Sequence, residues 1–490
     1  PREAGAPCLI LPDGRRVGYG ELESQSARYG ALLAAAGVKP GERVAAQVEK
    51  SAEALFLYLG CLRAGGVFLP LNPAYTRDEV AYLLDDARPR LFVCEPQRME
   101  EAQELAWAAR VPLVHDLGAH GQGSLPAAAA RMSDAFPTLA RAEADLAAIV
   151  YTSGTTGRPK GATLSHRNLA VNALVLHEYW GFRPGDVLLH MLPIYHVHGL
   201  FVATHCALLN GSPLLFEPKF DAARALRLMQ EATVFMGVPT YYVRLLQQKG
   251  LTREAVAHMR LFISGSAPLL PETFHAFRER TGQTILERYG MSEGGMFTSN
   301  PLEGERRVGT VGFPLPGTEV RVVDDDDTPL AAGEIGHIQV RGENVFAGYW
   351  QWPEQTREAF TADGFFRTGD LGRFDADGYL SIVGRNKDLI ISGGLNVYPK
   401  EIEEAIDALP GVAESAVIGL PHPDFGEAVT AVVVRAKDGA GLSGEGIIAE
   451  LKGRIAGFKV PKAVHFVDEL PRNAMGKVQK NRLRARFGGG

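Results

Sequence analysis

Cysteine is scarce. Four residues, Cys8, Cys61, Cys94 and Cys206, are scattered through 490 with no C-x-x-C spacing. That excludes a disulfide frame or a cysteine metal site and predicts reduced, buried thiols, as in a cytoplasmic protein. The chain opens on Pro1, so a presequence removed from a mitochondrial matrix protein would leave no trace, and the matrix stands as the alternative compartment. No run of 18 apolar residues occurs, which predicts no membrane span. An excess of positive charge is lacking too: the net charge is −6, giving no general pull toward nucleic acid. The basic tail Lys477–Arg486 is either a phosphate-binding patch or a solvated helix face. There is no internal repeat, no long low-complexity segment and no sign of an obligate protein partner. The G-x-x-x-x-G-K-[ST] spacing of P-loop NTPases is also missing, so kinase or GTPase chemistry does not follow.

What is present is an ordinary globular composition, 46% hydrophobic and 22% charged, on a length that suggests about three domains. The first half alternates helical and strand patterns. Glu21–Ala36 carries Leu22, Tyr29, Leu32 and Leu33 and stops at Gly37. Ser51 caps a helix with Leu55, Tyr58, Leu59 and Leu62 on one stripe. The strand Val67-Phe-Leu-Pro70 follows. This rhythm predicts an α/β fold, with helices covering sheets. From Gly333 to Ile382 the pattern changes to short strands, placing a small β subdomain at about 310–386. The last hundred residues read as a small α+β unit, with a boundary near Lys387. The expected domains are therefore 1–386 and 387–490.

The most informative stretch is Tyr151-Thr-Ser-Gly-Thr-Thr-Gly-Arg-Pro-Lys-Gly-Ala162. It follows the apolar segment Leu146–Val150, so a buried strand ends in a loop rich in hydroxyls, glycines and one lysine. Backbone N–H groups, the Ser153, Thr155 and Thr156 hydroxyls and the Lys160 ammonium suit a polyphosphate. Gly154, Gly157 and Gly161 allow close backbone approach. The run resembles the phosphate loop of the adenylate-forming superfamily of acyl-CoA synthetases, peptide-synthetase adenylation domains and luciferases. Phe365-Phe-Arg-Thr-Gly-Asp-Leu371, Gly384-Arg-Asn-Lys-Asp388 and Pro471-Arg-Asn-Ala-Met-Gly-Lys477 resemble its later motifs in the same order.

That resemblance implies the superfamily's fold, a large N-terminal domain and a small mobile C-terminal one, and its chemistry. A carboxylate attacks the α-phosphate of ATP, pyrophosphate leaves, and CoA then displaces AMP. Thr152, Ser153, Gly154, Thr155, Thr156, Gly157 and Lys160 would hold phosphates, Ser292 would touch one, Tyr289 would stack on adenine, and Gly290 would belong to the same ATP site. Glu293 would bind Mg²⁺, Asp370 both ribose hydroxyls, and Arg385 the ribose or a phosphate. Read alone, Tyr289 is a core aromatic and Asp370 a turn aspartate. Lys477 would place an ammonium between the attacking carboxylate and the α-phosphate. One lysine on a small domain serves only the first half-reaction unless that domain moves. The resemblance implies a hinge at Lys387 and a thiol channel past Gly393, Gly394 and Leu395.

The acid is also addressed. A second carboxylate in a pocket needs a buried cation, because an unpaired buried charge is costly. Arg288 and Arg244 are the candidates, each with a fork that grips a carboxylate. Leu192-Pro-Ile-Tyr-His-Val-His-Gly-Leu-Phe201, Leu261–Leu269 and Glu287-Arg-Tyr-Gly-Met291 resemble malonyl-CoA synthetases. The resemblance implies that Arg288 clamps the distal carboxylate, with Ser266 and Arg244 in support and His196 beside the acyl group. Otherwise Arg288 is a salt-bridge partner of Glu287, and Arg244 a surface residue. The His196/His198 pair has no carboxylate or cysteine partner at metal-ligand spacing. Gly294, Gly295 and Phe297 depart from the polar residues expected there, and two glycines could widen the pocket toward methylmalonate. The expectation is a malonate or methylmalonate ligase using ATP, Mg²⁺ and CoA. Alternatives are a ligase for another short-chain or aromatic acid, a carrier-loading module (no carrier domain follows Arg486), or an inactive nucleotide-binding relative.

Overall fold

Local signals place most of the elements where the spacing predicts them. The Ser51 hydroxyl accepts from the Ala54 N–H and opens the helix Ala52–Arg63. The first helix, Tyr19–Ala35, ends before Gly37, whose φ of +79° reverses the chain. Thr76 and Glu79 form a capping box for the helix Arg77–Ala87. The computed structural model describes residues 3–488 except 153–158, 393–394, 423–425, 438, 440, 453, 456 and 474–475.

Four sheets organise the chain. A six-stranded sheet, parallel except for its last edge strand, contains Arg43–Gln47, Val67–Pro70, Leu91–Cys94, Leu113–Asp116, Leu146–Thr152 and Lys160–Ser165. A nine-stranded mixed sheet carries Leu188–His190, Val234–Gly237, Leu261–Ser264, Ile285–Met291 and Gly295–Ser299 among its members. Its central strands are buried on both faces, as parallel strands covered by helices must be. An antiparallel sheet of four strands runs from Thr318–Val323 to Leu380–Arg385. The last sheet, from Ile390–Ser392 onward, carries the helices Pro399–Asp407 and Gly444–Lys452 around a separate apolar cluster of Ile402, Ile406, Val417, Val429 and Leu451. The chain is thus a mixed α/β protein whose large and small parts have separate cores. Among the described residues no helix is long and apolar enough to cross a membrane. All four cysteines are free and buried.

Candidate active site

The phosphate-loop candidate sits on a hairpin. Thr152 pairs with Lys160 at the ends of two antiparallel strands. Ser153, Gly154, Thr155, Thr156 and Gly157 lie outside the described residues. One helix fixes both sides of the loop's base: the Tyr82 hydroxyl donates to the Pro159 carbonyl at 3.0 Å, and the Tyr151 hydroxyl to Asp86 Oδ2 at 2.5 Å. The Lys160 ammonium lies 5.3 Å from the ring centre of Tyr349 and 5.7 Å from that of Trp352.

Tyr289, on the strand Ile285–Met291, reaches across to the antiparallel sheet. Its hydroxyl donates to Asp370 Oδ2 at 2.5 Å, and Arg385 Nε binds Asp370 Oδ1 at 2.8 Å. Asp370 and Arg385 face each other on neighbouring strands, so strand register sets this contact. Burial first, and Asp370 next, raise the Tyr289 pKa well above its ordinary value. Gly290 stands where a Cβ would come 2.0 Å from the Gly295 carbonyl oxygen, so only glycine lets the hairpin close here. Ser292 is half-buried in the turn that follows. Glu293 is buried, and its Oε1 accepts the Tyr349 hydroxyl at 3.1 Å. Burial raises its pKa. Among the described residues no cluster of three or more metal ligands exists. A single buried carboxylate suits an ion such as Mg²⁺ that takes its other ligands from phosphate and water.

The second half of the cleft is built around Arg288. It is 3% exposed, and its Nε and Nη2 have no hydrogen-bond partner. No ion pair reaches it among the described residues. Glu287 points to the other face of the strand, where its carboxylate accepts the Leu269 N–H at 3.1 Å. The salt-bridge alternative is therefore not what the chain adopts. Gly265 makes room for the guanidinium: a Cβ there would lie 2.4 Å from Arg288 Cζ. Burial lowers the Arg288 pKa to about 9, so it stays a cation at neutral pH. His198, whose imidazole feels the Arg288 charge, also keeps an unpaired buried atom, Nε2. The Ser266 hydroxyl lies 3.3 Å from His198 Nδ1, and Ser266 holds a left-handed backbone, φ +70°. Non-glycine residues in that region mark strain that surrounding structure must support. His196 is half-buried, its Nδ1 accepting the His198 N–H at 3.3 Å. Burial and Arg288 bring its pKa down to about 4, and that of His198 further below the usual range. Both imidazoles are thus neutral.

Sequence reasoning missed what holds these histidines. The Lys50 ammonium is buried and donates to His190 Nδ1 at 2.7 Å and to the His190 and Leu192 carbonyls at 2.8 and 3.0 Å. His190 Nε2 in turn binds the Gly199 carbonyl at 2.9 Å, just after His198 at the start of a π-helical turn, His198–Thr204. Such turns favour functional sites. Lysine and histidine 140 residues apart carry no local signal. Tyr349, the partner of Glu293, was equally invisible.

Lys477 is brought to the nucleotide half. It keeps an open face to solvent, yet the mass of protein around its ammonium, then the Arg385 and Lys387 cations, lowers its pKa to about 8 against Asp370 and Asp388. A Cβ on its neighbour Gly476 would sit 3.1 Å from Thr240 Oγ1, so this loop lies against the large part of the molecule. Lys387 is exposed beside the same carboxylate, and Leu395 is exposed at the start of a short strand. Gly393 and Gly394 lie outside the described residues. Arg244 does not join the Arg288 cluster. The helix Pro239–Leu246 buries Tyr242, whose hydroxyl donates to the Ile263 carbonyl, and turns Arg244 to solvent. Gly294 and Gly295 do not widen a pocket either. Side chains there would collide with Phe297 and Asn172, each 2.4 Å from an added Cβ, so those groups already fill the space.

Residues 1–350 match the family of AMP-binding enzymes and residues 401–477 its C-terminal domain. A malonate–CoA ligase of Arabidopsis thaliana is 35% identical over 98% of this chain and 87% of its own length. A sulfoacetate–CoA ligase of Cupriavidus necator is 36% identical over 97% and 94%. The crystal structure of ATP-bound MatB from Rhodopseudomonas palustris is 54% identical, covers 99% of this chain and 97% of that one, and superposes with a TM-score of 0.97. Apo MatB, 55% identical with 99% and 96% covered, gives 0.85. With the family model matched over residues 1–350 and relatives above 30% identical over nearly its whole length, this chain belongs to the family of AMP-binding enzymes.

Proposed function

We propose that the chain is a malonate–CoA ligase: it converts malonate, ATP and CoA into malonyl-CoA, AMP and pyrophosphate through malonyl-adenylate. One observation carries the choice of acid. A buried guanidinium with two unpaired nitrogens, beside a histidine with an unpaired nitrogen, is expensive unless a bound anion completes it. The distal carboxylate of malonate is such an anion, with Arg288 gripping it and Ser266 in support. His196, neutral, lines the reacting end without adding charge.

In this reading one carboxylate oxygen of malonate attacks the α-phosphorus, and the bond to the β-phosphate oxygen breaks, releasing pyrophosphate. Tyr289 and Gly290 bind adenine and Asp370 and Arg385 the ribose, while Thr152, Ser292, Lys160 and the loop between bind phosphates. Lys477 neutralises charge between the two reacting oxyanions. Glu293 would hold Mg²⁺, which when bound spreads phosphate charge. The CoA thiol then adds to the acyl carbonyl, loses its proton, and expels AMP. The divisions 1–386 and 387–490, the hinge at Lys387 and the channel past Gly393, Gly394 and Leu395 belong to this second step. The arrangement described is the first-step one. It is closer to ATP-bound than to apo MatB, and it has Lys477 beside Asp370 and Arg385. Free cysteines fit a reducing compartment, and the cytoplasm is proposed.

CoA-dependent AMP formation on acetate, octanoate, malonate, methylmalonate, succinate and sulfoacetate, with Arg288→Ala alongside, tests this. Malonate is expected to lead, and the preference to vanish in the variant. A monocarboxylic acid in the lead would overturn the assignment of Arg288. Sulfoacetate in the lead would keep the clamp and change the anion it grips.

A further inference from the structure

The turn Gly348-Tyr-Trp-Gln-Trp352 is fixed from several sides. The backbone N–H and hydroxyl of Thr163 both donate to the Gly348 carbonyl, at 3.1 and 2.6 Å, and the Trp350 N–H donates to the Gly161 carbonyl at 2.7 Å. The Thr356 hydroxyl oxygen accepts the Tyr349 N–H at 2.9 Å and donates to the Trp352 carbonyl at 2.8 Å. Gly348 has a φ of +154°, and a Cβ there would lie 2.4 Å from Thr356 Cγ2. Trp352 precedes Pro353, which restricts its backbone further. Trp350 faces away: its indole N–H donates to the Asp86 carbonyl at 3.3 Å, and Arg43 lies 5.2 Å over its ring. Tyr349 and Trp352 face the Lys160 ammonium. Lys160 has no carboxylate partner among the described residues.

We propose that Tyr349 and Trp352 form an aromatic slot that holds the Lys160 ammonium at the phosphate loop. Through its hydroxyl, Tyr349 also ties this cation to the Glu293 carboxylate, so that the two charges meeting the triphosphate are positioned as one unit. The inference rests on the reading of Lys160 and Glu293 as nucleotide groups. An ammonium has three donors, and contact with ring faces leaves donors free for phosphate oxygens. Slot and phosphate therefore do not compete. A flexible lysine fixed in advance loses less freedom when ATP binds. Tyr349 and Trp352 are positioning residues: they act through Lys160 and Glu293.

Equilibrium binding of ATP, without acid or CoA, separates the parts. Trp352→Leu is expected to weaken ATP about three- to tenfold with or without Mg²⁺, in line with the strength of cation–π contacts, and Trp352→Phe to recover most of it. Lys160→Ala should weaken ATP by more, and adding Trp352→Leu to it should cost nothing further. Tyr349→Phe keeps the ring, so affinity in EDTA stays within about twofold, while the gain produced by Mg²⁺ shrinks. An unchanged affinity in Trp352→Leu, or an equal loss from it in the Lys160→Ala background, would overturn the slot. Unchanged binding in Lys160→Ala would overturn the nucleotide reading of the loop itself.

Discussion

The two halves of the cleft are built on opposite principles. In the nucleotide half polar groups are paired: Tyr289 and Arg385 both grip Asp370, and Tyr349 binds Glu293. In the acyl half they are not: Arg288 and His198 keep buried atoms without partners. Paired groups support the fold and, in the proposed reading, stand ready for ATP. Unpaired groups cost stability and, in the proposed reading, are completed by the substrate. The difference teaches where specificity resides, because a buried polar atom left unsatisfied discriminates against every ligand that fails to satisfy it.

The largest effect is expected where the comparison is bridged, at the lysine serving both halves. Lys477→Ala should lower adenylate formation by about three orders of magnitude, the scale of losing a preorganised charge at a developing oxyanion. ATP binding and thioester formation from preformed malonyl-adenylate should survive. Pyrophosphate release and single-turnover thioester assays measure the two steps, and near wild-type pyrophosphate release would end the assignment. Lys387→Pro is the mirror variant, sparing adenylation and crippling the thioester step. Equal loss in both steps would remove the hinge from Lys387.

Next in size, Arg288→Leu and Asp370→Ala set the halves directly against each other. Arg288→Leu should lower kcat/KM for malonate by roughly a hundredfold or more, since a desolvated charge pair is lost. Its melting temperature should hold or rise, because an unpaired buried cation gives way to an apolar side chain. Asp370→Ala should weaken ATP and also destabilise the protein by about 1–3 kcal/mol, because Arg385 and Tyr289 lose their shared acceptor. Calorimetry on the two variants decides. Equal destabilisation would mean that the halves do not differ as described.

How much of this was legible follows the same division. The nucleotide half is written in contiguous motifs, so Tyr289, Glu293, Asp370 and Lys160 could be picked out one by one. Sheet register then joins Asp370 to Arg385. Arg288 was legible because it adjoins Tyr289 on the same strand. Arg244 was misplaced because one residue of helix phase separates the buried Tyr242 face from solvent, and its short helix ends too soon for periodicity to decide. Gly294 and Gly295 were read as space, whereas Phe297 and Asn172 fold back to fill it. Lys50 with His190, and Tyr349 with Glu293, were out of reach: each pair is made only by tertiary packing.

The smallest expected effect is a pH limb that separates the first step from the second. The docked Lys477 has its pKa lowered to about 8, against an ordinary lysine value near 10.4. Between those values the docked arrangement binds fewer protons than the undocked one. Docking of the C-terminal part is therefore weakest below about pH 8 and strengthens as pH rises through that window. Adenylation runs the other way, because it needs the ammonium. Its kcat/KM for ATP should fall above about pH 8, approaching tenfold per unit. In kcat the limb should move to higher pH, since bound triphosphate favours the cation. Thioester formation from preformed adenylate has no use for Lys477 and should keep rising as the CoA thiol ionises. An adenylation profile flat to pH 9.5 would mean that the ammonium is held by stronger partners than Asp370 and Asp388. A matching fall in the second step would mean that the limb belongs to another group.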